Sequence, residues 1–361
     1  MRVDLDEQIF LRQRRGGVSR YFAELWLEAN RLPDVMIRAT WKWHSNDHAR
    51  QVGLGQWVPS AFTRSARLSR ALNRGGATAA AGDVSHHTYY DLSHLKRSHA
   101  RLKAITIYDM IPELFPELFS GPSPHVGKEE CARAADLIFC ISHATRDDLL
   151  RLYDLDASKV VVTPLGVANE FSSTARAPAG LPPQYFLYVG NRASYKDFDV
   201  LVAALRGTDS PLRQFPLVCV GGGAFTGGER ALLHRAGMEG RVSQMKVTER
   251  ELPGVYASAS CFIFPSRYEG FGLPTLEAMK SGCPTLLARS SSHVEVGGDA
   301  AFYFEPQDSA DLREQLIRIV GDDAERASHV RSGVARADAF SWRSTALQTV
   351  LAYQKALEVA R

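Results

Sequence analysis

Short runs of β-branched and aromatic residues alternate along the chain with helix-length amphipathic stretches. Ala104–Tyr108, Leu137–Ile141 and Val160–Thr163 have the length and apolar continuity of buried strands. Gly127–Ala135 and His143–Leu152, lying between them, have the length of helices. Ser172–Pro183 then breaks the pattern with small, polar and proline-rich residues, the composition of a linker. Beyond it the alternation restarts, and Tyr185–Val189, Leu217–Val220, Val242–Val247, Cys261–Phe264 and Pro284–Leu287 are the predicted strands. Alternating strand and helix signals belong to parallel α/β sheets. The restart predicts two such domains, at residues 1–175 and 184–340. The tail, 341–361, reads as one amphipathic helix with Trp342, Leu347, Val350, Leu351 and Leu357 as its apolar stripe.

A chain of 361 residues suits two domains. Its 45% apolar and 23% charged residues exclude a disordered or fibrous protein. The longest apolar runs, such as Cys261–Phe264, fall far short of a membrane span. The opening residues carry charges where a signal peptide needs an apolar stretch. Five cysteines (131, 140, 219, 261 and 283) form no C-x-x-C pair, which argues against a zinc site or disulfide scaffold and for a cytoplasmic location.

The net charge of +3 is unevenly spread. Residues 1–104 carry 17 Lys/Arg against 9 Asp/Glu, and residues 105–175 carry 5 against 11. Part of the basic excess lies in Phe62–Arg74, where Arg64, Arg67, Arg70 and Arg74 recur at helical spacing along one face. That face reads either as a solvated surface or as a docking face for anionic lipid or a lipid-linked phosphate. It is also the one feature that would suggest nucleic acid, and no nucleic-acid partner is expected.

The strongest chemical signal is Pro265–Met279. It follows the strand Cys261–Phe264 and turns into a helix near Pro274, where proline suits a first turn. Such a helix start offers unpaired backbone N–H groups and a positive dipole end to phosphate or sugar oxygens. Glu269 sits in the loop and Glu277 lies eight residues on, within the helix. Other pieces are weaker alone. Arg192 and Lys196 are two cations four apart after a strand. Gly221–Gly223 is a glycine run after the next strand. Gly16 and Gly17 precede a helix, and His86 and His87 are a histidine pair that is as easily structural. No D-x-D metal motif stands out, so no metal or other cofactor is expected.

The string around Glu269, Phe271, Gly272, Leu273, Pro274 and Glu277 resembles the retaining nucleotide-sugar glycosyltransferases called family 4, close to bacterial mannosyl- and rhamnosyltransferases. Similarity continues through Ser281–Thr285, Ser290–Val296 and Gly298–Ala301, and upstream over most of the chain. The resemblance implies the GT-B fold, two Rossmann-like domains facing across a cleft, with the terminal helix returning to the N-terminal domain. It implies Glu269 at the sugar, Glu277 on the ribose, Arg192 and Lys196 on the donor diphosphate, and Phe271–Leu273 main-chain groups on sugar or phosphate oxygens. Val247 and Thr248 lie where the family binds the nucleobase. Gly16 and Gly17 form its paired-glycine loop at the donor, Asp109 joins Glu269, Arg192 and Lys196 among the catalytic residues, and His86, His87 and Tyr89 lie on the acceptor-binding side. Tyr108 stands where a histidine is usual, and Asp197 where asparagine is. The implied function is metal-independent, retaining transfer of a hexose, mannose from GDP-mannose, to a lipid-linked glycan in bacterial surface polysaccharide synthesis. A UDP- or dTDP-sugar donor, or non-catalytic binding of a nucleotide sugar, is the alternative.

Overall fold

A computed structural model describes residues 1–41, 43–58, 82–119, 125–207 and 211–359. Its strands are β1 (Arg2–Leu5), β2 (Met36–Ala39), β3 (Trp43–His44), β4 (Gln56–Trp57), β5 (Val84–His87), β6 (Leu102–Ile107), β7 (Leu137–Cys140), β8 (Val160–Val162), β9 (Phe186–Val189), β10 (Leu217–Val220), β11 (Val242–Met245), β12 (Cys261–Phe264), β13 (Thr285–Ala288) and β14 (Phe302–Phe304). They divide between two compact units, Met1–Gly166 with Ser341–Arg361, and Val167–Phe340.

The first unit holds a six-stranded sheet in the order β2-β1-β5-β6-β7-β8, with every pairing parallel. Strands covered by helices on both faces must be apolar throughout, and all four residues of β7 are buried. Its register sets Ile105 beside Ile138 and Phe139 beside Val161. The short β1 and β5 carry polar residues among apolar ones (Asp4, Ser85, His86, His87), which conceals them from a search for apolar runs. Both are nevertheless central and buried.

The second unit holds another parallel sheet in the order β11-β10-β9-β12-β13-β14. One face packs Phe186, Tyr188, Leu217, Cys219, Ile263 and Leu286 against Leu201, Leu205, Leu312 and Leu316 from the flanking helices. All five cysteines are buried free thiols.

The first unit ends at Gly166, earlier than residue 175. The chain passes between the units twice, at Gly166–Val167 and at Phe340–Ser341. A Cβ on Gly166 would fall 2.1 Å from the backbone nitrogen of Trp342. The change of unit therefore occurs at a tight backbone contact, and the proline-rich stretch belongs to the second unit.

The terminal helix Trp342–Val359 packs on Gly17–Ala29 in the first unit. Its buried face is Trp342, Thr345, Ala346, Thr349, Val350 and Tyr353. Leu347 and Leu351, assigned to the apolar stripe from the sequence, are 40% and 61% exposed. The buried face is semi-polar because its hydroxyls find backbone partners: Thr345 donates to Pro164 O at 2.7 Å and Thr349 to Thr345 O at 2.7 Å. Among the described residues no helix is long and apolar enough to cross a membrane. The segment of Arg64, Arg67, Arg70 and Arg74 lies outside the described residues.

Candidate active site

In an open parallel sheet, ligands sit beyond the carboxyl ends of the strands, where the strand order reverses. In the second unit that point is the β9–β12 pair: from β9 the order runs outward through β10 one way and through β12 the other. The loop after β9 carries Arg192 and Lys196, and the loop after β12 carries Glu269. The topology therefore brings together residues far apart in sequence. Lys196 Nζ donates to Glu269 Oε1 in a close ion pair, with both side chains about nine-tenths buried. The ammonium also sits 5.3 Å from the centre of the Phe264 ring and 5.1 Å from that of Tyr195. A charge pair in such poorly hydrated surroundings feels its neighbours more strongly than it would in water.

The Glu269 backbone is fixed from the first turn of the helix Ser291–Gly297, which follows β13. Its N–H donates to Ser291 Oγ at 3.0 Å, and its carbonyl accepts from the hydroxyls of Ser291 (3.3 Å) and Ser292 (2.8 Å). Gly272, in left-handed backbone with φ of 94°, caps the helix Leu273–Lys280 without a side-chain cap, and Pro274 removes one N–H from the first turn. The Phe271 side chain is buried, 6.0 Å from Phe340 between ring centres. Only the backbone of Phe271, Gly272 and Leu273 is thus suited to ligand oxygens. Glu277 is buried on this helix and accepts from Tyr256 Oη at 3.2 Å. Thr248, beyond β11, is exposed beside half-buried Val247. Its N–H and hydroxyl both donate to Glu251 Oε2, at 2.7 and 2.8 Å, so its amide is already engaged.

Arg192 departs from the sequence reading. Its Nε donates to Glu229 Oε1 at 2.6 Å, and its terminal nitrogens donate to the carbonyls of Gly221, Gly222, Gly223 and Ala224. The guanidinium lies 4.7 Å from the centre of the Phe225 ring, and its side chain is 2% exposed. Most of its donors are engaged by its own chain, because a planar fork can gather several carbonyls that a glycine run presents without side chains in the way. Here Arg192 holds the loop after β10, and Lys196 is the cation beside Glu269.

In the first unit the order reverses between β1 and β5, and their ends meet at a residue that no sequence motif singled out. Asp6 is buried. It accepts from Gln8 Nε2 (2.6 Å), Thr88 N (3.0 Å), Thr88 Oγ1 (2.5 Å) and His87 Nδ1 (2.9 Å). Burial by itself would raise its pKa, but the His87 and Thr88 hydrogen bonds and the nearby His94 outweigh it and hold the carboxylate well below its usual range. His87 Nε2 meets Ser85 Oγ at 3.1 Å, which completes that ring. His86 contacts Tyr353 Oη through Nδ1 (2.5 Å) and Thr106 Oγ1 through Nε2 (2.8 Å), and burial pushes its pKa down to about 3. Neither ring has a nitrogen to offer an acceptor. Both histidines are core residues, His86 tying the terminal helix to β5 and β6 and His87 completing the Asp6 clasp.

Tyr89 is half-buried, with the Arg12 guanidinium 4.6 Å from its ring centre. Asp109, just past β6, accepts from Ile111 N at 3.0 Å and lies 3.8 Å from His125 Nδ1. Lys128, buried, donates to Asp109 O and to Glu113 Oε2, each at 2.8 Å, which sets the path of this loop. Gly16 caps and Gly17 begins the helix Gly17–Ala29, and among the described residues nothing lies within 4 Å of where a Gly17 Cβ would be. Asp6, Gln8, Thr88 and Lys128 escaped the sequence reading. The one available signal for Asp6 was a carboxylate directly after the alternating segment Arg2–Leu5.

Residues 173–334 match the family described as Glycosyl transferases group 1. The chain is 32% identical over 241 residues to O-antigen chain mannosyltransferase B of Escherichia coli, covering 62% of each protein. It is 26% identical over 269 residues to the serotype-specific mannosyltransferase WbdA of Escherichia coli, covering 70% of this chain and 33% of that one. It thus spans less than two thirds of the length of these relatives. Among solved structures it is similar to sucrose-phosphate synthase of Thermosynechococcus elongatus (TM-score 0.73, 19% identity, 99% of this chain and 100% of that one). It is also similar to HepE of Anabaena in complex with UDP and glucose (TM-score 0.69, 17% identity, 97% and 98%). These similarities place its two parallel α/β sheets in the GT-B fold.

Proposed function

We propose that this chain, which matches the group 1 glycosyl transferases over residues 173–334, transfers a hexose, mannose from GDP-mannose, with retention to a lipid-linked glycan of a bacterial surface polysaccharide. The observation that carries this reading is the buried Lys196–Glu269 pair at the β9–β12 switch point. The mannosyltransferase relatives support the sugar, and the earlier resemblance supports the nucleotide and the retained configuration.

The chemistry follows from the charges. Breaking the anomeric bond leaves negative charge on the departing phosphate and positive charge on the sugar ring. Lys196 would stabilise the first, the more effectively for its apolar surroundings. Glu269 would stabilise the second, as carboxylates do for oxocarbenium-like centres. The main chain of Phe271, Gly272 and Leu273, at an uncapped helix start, would hold phosphate or sugar oxygens. Glu277 would take the ribose hydroxyls, and the loop of Val247 and Thr248 would border the base. Arg192 would act indirectly, by holding the glycine loop. In the first unit, Asp109 would belong to the catalytic set, the Gly16–Gly17 turn would let backbone approach the donor phosphate and acceptor, and Tyr89 would serve the acceptor.

A donor panel tests this reading. The enzyme is incubated with GDP-, UDP- and dTDP-hexoses, and release of nucleoside diphosphate is followed. Release from GDP-mannose above all others is expected. Preference for a UDP- or dTDP-sugar would replace the donor but keep the reaction, and no release from any donor, with or without a lipid-linked glycan, would overturn it.

A further inference from the structure

Buried polar groups are almost always hydrogen-bonded, so an orphan beside an active site calls for an explanation. Two orphans converge under Gly272. His293 is fully buried on the helix Ser291–Gly297, which follows β13. Its Nδ1 lies 3.0 Å from the carbonyl of Ala288. A carbonyl only accepts, so Nδ1 carries the proton and Nε2 presents a bare lone pair. Among the described residues that Nε2 has no partner, nor does the hydroxyl of Thr275, which is also fully buried. A Cβ on Gly272 would lie 3.4 Å from Thr275 Oγ1 and 3.7 Å from His293 Cδ2, the carbon bonded to Nε2. The ring packs on Phe264, 4.9 Å between centres. The Lys196 ammonium lies 5.3 Å from the centre of the same Phe264 ring. The orphaned pair thus shares a neighbour with the Lys196–Glu269 pair.

We propose that His293 is a specificity-determining residue: its Nε2 accepts a hydrogen bond from one hydroxyl of the donor hexose, with Thr275 Oγ1 as the second contact. This rests on the transferase reading above. A neutral imidazole acceptor suits a hydroxyl and not a phosphate, which offers no proton at neutral pH. Burial lowers the His293 pKa, and the two charges near it act in opposite senses, Glu269 raising it and Lys196 lowering it. The ring thus stays an acceptor where the enzyme works. Gly272 lies against both orphans, and having no Cβ it places no side chain between them and the backbone at the helix start.

The test separates this role from a packing role. His293→Asn keeps a side-chain N–H for Ala288 O and removes Nε2, whereas His293→Gln restores a polar group near the Nε2 position. Turnover and KM are measured for wild type and both variants with GDP-mannose and its 2-, 3-, 4- and 6-deoxy analogues, together with GDP affinity. Wild type should disfavour one deoxy analogue by about 10-fold or more in kcat/KM, the effect of losing one buried hydrogen bond. His293→Asn should erase that preference and leave the other three ratios and GDP affinity unchanged, and His293→Gln should restore part of it. A uniform loss across all five donors, or an unchanged pattern in His293→Asn, overturns the assignment while the transferase stands. No turnover by wild type with any of them or with the donor panel overturns the reaction itself, and this assignment with it.

Discussion

Lys196 has two roles at once, and they can be separated by substitution. It neutralises Glu269, and it is the cation placed to meet the departing phosphate. Lys196→Ala should lower turnover by about 10²–10³, the loss expected when one transition-state donor is removed, with a smaller change in donor affinity. Lys196→Arg should restore only part of it, because a planar fork cannot replace a point charge seated over two rings. Steady-state turnover with separate measurement of donor binding checks both, and near-normal turnover in Lys196→Ala would remove this residue from the chemistry. Its neighbour Asp197 yields a pH prediction. Burial pushes the Asp197 carboxyl up to about 6 against the pull of Arg267. A carboxyl with a raised folded-state pKa contributes stability below its unfolded value and loses it as pH rises through 6. Wild type should therefore lose stability between about pH 4 and pH 6. Asp197→Asn should flatten that slope and gain on the order of 1–2 kcal/mol at pH 7 in denaturant melts. Asparagine also tolerates the left-handed backbone of this position, where φ is 45°.

At the scale of elements, Arg192 and the glycine loop form one device. The guanidinium gathers four consecutive carbonyls and is itself held by Glu229, which also accepts from Thr226 N in a capping box at the start of Gly227–Arg235. Glu229→Gln should leave Arg192 without a counter-charge and loosen the loop Gly221–Phe225. Amide exchange should quicken there while β10 stays protected, and donor KM should rise more than turnover falls. Equal protection in the variant would show that the carbonyls alone hold the guanidinium. The terminal helix is the second device. Tyr353 is fully buried, its hydroxyl on His86 and its ring 5.4 Å from Phe139 between centres. Tyr353→Ala should destabilise the first unit by about 3–5 kcal/mol, the usual range for a buried aromatic truncated in a core.

For the whole molecule, each unit has its own sheet and core, and the chain passes between them at two adjacent points. Tyr353→Ala should therefore split the thermal transition, lowering the midpoint of the first unit and sparing the second. Donor nucleotide at about a hundred times its Kd should raise the second transition by the equivalent of about 2.7 kcal/mol, through binding to the folded form alone. Calorimetry with and without GDP resolves both effects, and a single transition that moves as a whole would mean that the units melt as one.

Much of this was legible in the sequence for a local reason. Strands such as Leu137–Cys140 and Cys261–Phe264 are buried on both faces and must be apolar throughout, so composition betrays them. Gly272 and Pro274 announce a strand–loop–helix because backbone chemistry at a helix start favours such residues, while Glu269 and Glu277 stand out through the family resemblance. What stayed hidden depends on contacts between distant positions. β1 and β5 escape a search for apolar runs because Asp4, Ser85, His86 and His87 are satisfied by partners elsewhere in the chain. The histidine pair reads as a site until Tyr353, Thr106, Asp6 and Ser85 are seen to occupy its nitrogens. Arg192 reads as a phosphate ligand until the carbonyls of Gly221–Ala224 are found around it. By itself the sequence determined the parallel α/β architecture and the loop that carries Glu269, because local pattern and backbone geometry suffice for both. Only the tertiary structure decided which polar side chains remain available to a ligand, because hydrogen-bond partners, unlike secondary structure, are assigned across the whole chain.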